Sequence, residues 1–125
     1  MLRKNPKDTY TLNYVSYKLA LKNQDLDFAL TLIKKALKID PNNGYFLDTI
    51  GWVEFKRKNY DKATFYLEKS ISIIPKNSEI LDHLGDSYLM LGRKSEAIFE
   101  WKKAIEYERN KKIIRNIREK LKKHE

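Results

Sequence analysis

Residues 44–75, GYFLDTIGWVEFKRKNYDKATFYLEKSISIIP, read as two amphipathic helices joined by a short polar turn. In the first, Leu47, Ile50, Gly51 and Glu54 share one side at helical spacing. In the second, Ala63, Tyr66, Leu67, Ser70, Ile71 and Ile74 do the same. Pro75 closes the pair, because proline has no amide hydrogen and clashes with a preceding helical turn. A lone helix pair cannot bury both of its apolar faces, so this stretch requires neighbours.

Outward from it, the chain repeats. Pro6, Pro41 and Pro75 stand 35 and 34 residues apart, and Gly51 to Gly85, Ala29 to Ala63 and Ala63 to Ala97 each span 34. That period is the signature of a helical repeat array. The first unit is expected at about 9–43. Asp8 caps a helix holding Leu12, Val15, Ser16 and Leu19, and Asp25 caps one holding Ala29, Leu32, Ile33 and Ala36. The second unit, 44–77, is approached through Asn42-Asn43-Gly44. The third, 78–111, places Leu81, Leu84, Gly85 and Tyr88 on one helix. Gly92 closes that helix, and Ser95 opens the next with Ala97, Ile98, Trp101, Ala104 and Ile105. Arg109 stands where a further proline would fall, which leaves open a continuous helix through Asn110. The stretch at about 111–123 carries Ile113, Ile114, Ile117 and Leu121 on one face, a capping helix expected to bury them near Trp101 and Ile105. Ahead of the first unit, Arg3 to Asp8 reads as the close of a preceding helix. The chain is therefore expected to be cut from a longer array or to begin at an uncovered edge. Leu12, Tyr14, Val15 and Leu19 would form that edge and support a homo-oligomer.

Composition agrees with one all-α domain of 125 residues. A 42% hydrophobic content suits a packed core, and 34% charge, above the usual quarter, suits long exposed helices. No apolar run approaches a bilayer's width, and the start lacks the apolar core of a signal peptide. A cytoplasmic location is the expectation. The absence of cysteine excludes a disulfide framework and a thiolate metal site.

These residues resemble the tetratricopeptide repeat (TPR) family over about residues 6–109. The third unit holds Leu81, Leu84-Gly85, Tyr88, Ala97, Trp101 and Ala104 at the family's positions. The second holds Leu47, Ile50-Gly51, Ala63, Leu67, Ser70 and Pro75, with Glu54 where an aromatic is usual. The first departs furthest, with Val15-Ser16 and Leu19. The resemblance implies a right-handed superhelix, an α–α solenoid whose first helices line a concave groove, and a non-catalytic scaffold or adaptor for protein–protein interaction. Some members grip the C-terminal carboxylate of heat-shock chaperones with lysines, arginines and asparagines. Here the corresponding residues are Asn13, Tyr17, Thr49, Glu79 and His83, so an acidic chaperone tail is a poor ligand.

The helical wheel gives the peptide-binding groove. A face distinct from the packing face carries Tyr45, Asp48, Trp52, Phe55 and Lys56 in the second unit. The same offset gives Tyr10, Asn13, Tyr17, Ala20 and Leu21 in the first unit, and Glu79, Asp82, Asp86, Leu89 and Met90 in the third. Trp52 reads as an exposed aromatic anchor, against the alternative that it and Phe55 pack as core. Asp48, Glu79, Asp82 and Asp86 against Lys56 leave three net negative charges on this face of a +9 chain. The expected ligand is a basic or amphipathic segment.

The residues bear on two other functions. His83 with Asp82 and Asp86 could suggest a metal or a general base, but no second histidine lies near in sequence and no glycine-rich phosphate loop exists, so a surface histidine is expected. No cofactor or metal is called for. The end of the chain, with Arg109, Lys111, Lys112, Arg115, Arg118, Lys120, Lys122 and Lys123, offers an alternative anionic partner, a nucleic acid or a membrane surface. Nucleic acid is disfavoured because no aromatic follows Tyr107 to stack on bases.

Overall fold

The structure, a computed structural model, describes residues 8–125. The reading of Arg3 to Lys7 as the close of a preceding helix, and Pro6 as a period mark, lie outside those residues. Every element described is an α-helix: α1 Thr9–Leu21, α2 Leu26–Ile39, α3 Gly44–Lys56, α4 Tyr60–Ile73, α5 Ser78–Met90, α6 Lys94–Tyr107 and α7 Lys111–His124. They pack as three antiparallel-type pairs, α1 on α2, α3 on α4 and α5 on α6, with each second helix touching the next first helix. The first helices α1, α3 and α5 also meet one another, so they share one side of the resulting superhelix.

Local signals explain the helix starts. Each first helix opens on a side chain that accepts a free backbone N–H: Asp8 from Thr11, Asn43 from Tyr45 and Phe46, Asn77 from Ile80, and Asn110 from Lys112 and Ile113. The second helices use no such cap. Asp25 is not the expected cap: its own backbone is left-handed, with φ 46°, and its side chain makes no capping bond. Ser95 is likewise inside α6, which opens at Lys94. The inner turn repeats instead. Asn23, Lys58 and Gly92 all adopt positive φ, of 54°, 71° and 77°, at the same step of the repeat. Only Gly92 does so without steric cost.

Close approach within each pair is set by two small residues. Ala29, Ala63 and Ala97 are fully buried. Opposite them, a Cβ added to Gly51 would lie 2.8 Å from Leu67 Cγ, and one on Gly85 would collide with the Trp101 indole. Ser16 fills the equivalent place in the first pair, where its hydroxyl donates to the Ala29 carbonyl at 2.9 Å. Glu54, only 2% exposed, is the departure from an aromatic in the second pair. Its carboxylate accepts from Arg57 at 2.8 Å and Asn59 at 3.0 Å, and Arg57 reaches on to Asp27 at 3.1 Å. A buried carboxylate satisfied in this way avoids the penalty of an unpaired charge.

Helix α7 is separate from α6, broken at Glu108 to Asn110. Its Ile117 and Leu121 enter the cluster of Leu81, Leu84, Trp101 and Ala104, with Ile105 at the margin. Ile113 does not join them. It is exposed in the first turn of α7, where it lines a depression on the first-helix side.

Candidate functional site: a groove on the first-helix side

The side lined by first helices holds two adjoining depressions. One, of about 650 Å³, lies between Tyr17 and Leu21 of α1, Trp52 of α3, Glu79 and Asp82 of α5, and Ile113 of α7. The other, of about 520 Å³, lies between Phe55 of α3, Leu89 and Met90 of α5, Trp101 of α6 and His124 of α7. Asp86, Asn116 and Lys120 border both. The first is mixed in lining and acid-rimmed, the second mostly apolar.

The divide between them is an ion cluster. Lys120 of α7 donates from Nζ to Asp82 Oδ1 at 2.8 Å, and to Asp86 Oδ1 and Oδ2 at 2.8 and 3.1 Å. Burial pushes the Asp86 carboxyl above its ordinary range, with Lys120 offsetting part of that. Burial also works against the Lys120 ammonium, but the Asp86 and Asp82 carboxylates outweigh it and raise its pKa. Lys120 is thus held as a cation.

A second cluster forms the floor. His83 is 7% exposed, so the expected surface histidine is instead a buried one. Its Nδ1 lies 2.9 Å from Asp48 Oδ1, and its Nε2 lies 3.9 Å from Glu79. Burial disfavours the imidazolium, yet Asp48, with Glu79 and Asp82 behind it, holds the His83 pKa above its ordinary value. Trp52 stacks on the imidazole with ring centroids 3.9 Å apart, and on Phe55 at 4.4 Å. It is 8% exposed, which corrects the expectation of an open aromatic anchor. A flat indole sandwiched between two rings gains more contact as the floor than it would standing in water. Lys56 places its ammonium 5.6 Å from the Trp52 ring centre.

The structure therefore gathers Tyr17, Asp48, Trp52, Phe55, Glu79, Asp82, Asp86, Leu89 and Met90 in or beneath one groove. Tyr17 donates its hydroxyl hydrogen to Glu79, linking α1 to α5. Tyr10, Asn13 and Tyr45 line neither depression. Tyr10 and Tyr45 are exposed, Tyr10 with its ring edge-on to Phe46, and Asn13 is half-buried. Ala20, which shared the wheel position, is buried core. The acidic carboxylates are not free for a ligand in the way their sign suggested: Asp48 is engaged by His83, and Asp82 and Asp86 by Lys120.

Sequence reasoning missed the fourth wall. A further step of 34 residues carries Glu79 to Ile113, Asp82 to Asn116 and Asp86 to Lys120. Those three residues of α7 all border the groove. The period that identified the array would have found them, had it been extended past Arg109. Among the described residues no three His, Cys, Asp or Glu side chains come together to hold a metal ion, and no helix is long and apolar enough to cross a membrane.

The profile described as tetratricopeptide repeat matches residues 46–77 and 78–111, more than half of the chain. Several solved structures share the fold. The Sgt2 TPR domain from Aspergillus fumigatus superposes with a TM-score of 0.77 at 21% identity, over 95% of this chain and 82% of that one. The first TPR domain of Spaghetti (RPAP3), solved bound to the HSP90 peptide SRMEEVD, gives 0.75 at 18% identity over 94% and 95%. MamA gives 0.73 at 20% identity, over 86% of this chain, which spans 62% of the MamA chain. A comparison with curated proteins found no match.

Proposed function

The chain belongs to the tetratricopeptide repeat family, and on that premise we propose that it is a non-catalytic interaction scaffold that holds an amphipathic or basic segment of a partner protein in its first-helix groove. The observation that carries this reading is the pairing of two unlike depressions, one acid-rimmed at Glu79 and Asp82 and one apolar at Phe55, Leu89 and Met90. A segment with a polar, cation-bearing stretch and an apolar stretch is the complement of that surface. The acidic peptide of the Spaghetti complex is not, since Glu79, Asp82 and Asp86 line the wall here and Lys120 is already paired. Exposed ion pairs contribute about 0–1 kcal/mol each, so the apolar half carries most of the affinity and Glu79 orients the segment.

The test is a peptide-array screen on wild type, Met90→Glu and Glu79→Lys, with circular dichroism as folding control. Both residues are exposed, so neither change should unfold the module. Wild type should enrich amphipathic peptides, and Met90→Glu should weaken the best of them by about tenfold, a loss near 1.4 kcal/mol. Enrichment of acidic peptides, or unchanged binding by both variants, would show the groove to be wrongly assigned.

A second reading rests on the other face of α7, where Lys111, Arg115, Arg118 and Lys122 surround Ile114, with Glu119 on the border between this face and the groove. Such a surface suits an anionic partner. Salt-dependent retention on a polyanion, lost when Arg115 and Arg118 become glutamine, would favour it over the groove.

A further inference from the structure

Lys120 sits at the place in α7 that Trp52 holds in α3 and Asp86 in α5, one 34-residue step apart. It is flanked by two core anchors, Ile117 one turn before it and Leu121 one residue after, both buried against Trp101 and Ala104. Its position on the groove wall is therefore determined by core packing, not by the ion pairs it makes. From there its ammonium meets three carboxylate oxygens of Asp82 and Asp86 within 3.1 Å. This is the geometry that a lysine side chain of a bound segment would adopt at the same carboxylates. The acidic pair is not an empty site: it already holds an ammonium.

We propose that Lys120 is the resident cation of the groove and sets its charge preference, competing with the lysine or arginine of a ligand for Asp82 and Asp86. The inference rests on the reading of the groove as the partner-binding face. Its physical content is an exchange. A ligand cation that displaces Lys120 makes one set of charge-assisted hydrogen bonds and breaks an equivalent set. The tether to α7 also gives Lys120 an effective concentration that a free ligand must overcome. Wild type therefore gains little from a ligand's positive charge at this point and selects by the apolar side. Removing the Lys120 ammonium leaves two facing carboxylates without the cation bonded to them, with only His83 behind, and turns the same groove into one that favours a ligand cation.

Two probes test this on the full chain. The first is n-butylammonium, the lysine side chain by itself, titrated while NMR follows the backbone amides of Asp82, Asp86 and Asn116. Lys120→Met should show saturable shifts at these amides. Wild type and Lys120→Arg should need at least tenfold more butylammonium, and Lys120→Met combined with Asp82→Asn and Asp86→Asn should show none. Equal responses of folded wild type and Lys120→Met would overturn the proposal. The second probe is a matched peptide pair, the best array binder carrying lysine and its norleucine counterpart. Wild type should distinguish them by less than threefold and Lys120→Met by more than tenfold. A wild-type preference for lysine above tenfold would also overturn the proposal, and that measurement does not depend on the variant folding. If no array peptide binds wild type, the groove reading fails, while the butylammonium titration still decides the role of Lys120.

Discussion

Helices α1 and α7 are the first and last of the described helices, and they divide their buried and exposed faces in opposite ways. A first helix inside the array has two buried faces. One faces the preceding pair and carries Phe46, Thr49 and Val53 in α3 and Ile80, His83 and Ser87 in α5, all buried; Phe46 and Val53 pack with α2, Ser87 bonds Thr64 of α4, and His83 bonds Asp48 of α3. The other meets its own second helix, through Leu47, Ile50 and Gly51 or Leu81, Leu84 and Gly85. Helix α7 keeps the first face, with half-buried Ile114 and buried Ile117 and Leu121, and replaces the second by Arg115, Arg118 and Glu119, all exposed. Helix α1 does the reverse. It keeps Leu12, Ser16 and Leu19 against α2 and leaves Thr11, Tyr14 and Lys18 exposed. In each helix one face is apolar and buried while the other is polar and exposed.

The largest expected effect tests whether the two faces of α7 are as unequal as their burial. Ile117→Ala should cost about 2–5 kcal/mol, because the cluster around Trp101 loses a buried side chain and gains a cavity. The melting temperature should fall by roughly 10 °C. Arg118→Ala, one residue away on the exposed face, should stay within about 0.5 kcal/mol. Thermal denaturation of both variants is the measurement, and equal shifts would mean that α7 does not close the core.

The next compares one repeat position in two contexts. Gly85→Ala should destabilise by about 1–3 kcal/mol, since the new methyl group meets the Trp101 indole. Glu119→Ala, at the same position of the repeat in α7, should be nearly neutral because that face is open to solvent. A tolerated Gly85→Ala, by urea denaturation, would show that the α5–α6 pair is looser than its geometry.

A smaller effect should follow pH. Tyr14, His83 and Ile117 stand at one position of the repeat, and only His83 titrates near neutrality in a buried setting, facing Asp48 of α3 and Glu79 and Asp82 of its own helix. Its folded pKa is raised, so its stabilising contribution is fully present below the unfolded value of about 6.5 and is lost as pH rises through the folded value. Wild type should therefore lose melting temperature above about pH 6.5 relative to His83→Gln, which keeps a hydrogen-bond donor for Asp48 without titrating. Parallel curves for the two proteins would sink this account.

The smallest effect on stability concerns the α1 edge. The expected sticky edge of Leu12, Tyr14, Val15 and Leu19 is narrower in the structure, because the two leucines are half-buried within the first pair. Tyr14, 63% exposed, and Val15 remain. Tyr14→Glu should change stability by no more than about 0.5 kcal/mol, yet it should dissolve any self-association seen by sedimentation velocity at high concentration. A wild type that stays monomeric there would remove the edge as an interface.

Much of the fold was legible because the determinants are local and repeated. Small residues at Ser16, Gly51 and Gly85 and at Ala29, Ala63 and Ala97 mark where helices meet, and the 34-residue step sets their order. The candidate groove was legible only in outline. Wheel positions say which side of a helix a residue occupies, and Tyr17, Phe55, Glu79 and Leu89 each line one of the two depressions on that side. They do not say what stands opposite. Trp52 and Asp48 share the groove face with Tyr45, yet His83 on the next first helix draws the first two into the floor and leaves Tyr45 in solvent.

The sequence by itself determined a helical repeat array, its helix pairs, the helix that covers its last pair, and an acid-bearing first-helix face. Periodicity acts along a single helix and survives without knowledge of neighbours. Only the tertiary structure decided which of those acids are already paired. That depends on contacts between residues 34 to 38 apart, Lys120 with Asp86 and Asp82, and His83 with Asp48, which form across helices that the superhelix brings side by side. Charge read along a chain adds up whatever its partners. Charge in a fold counts only after each ion has met the one packed against it.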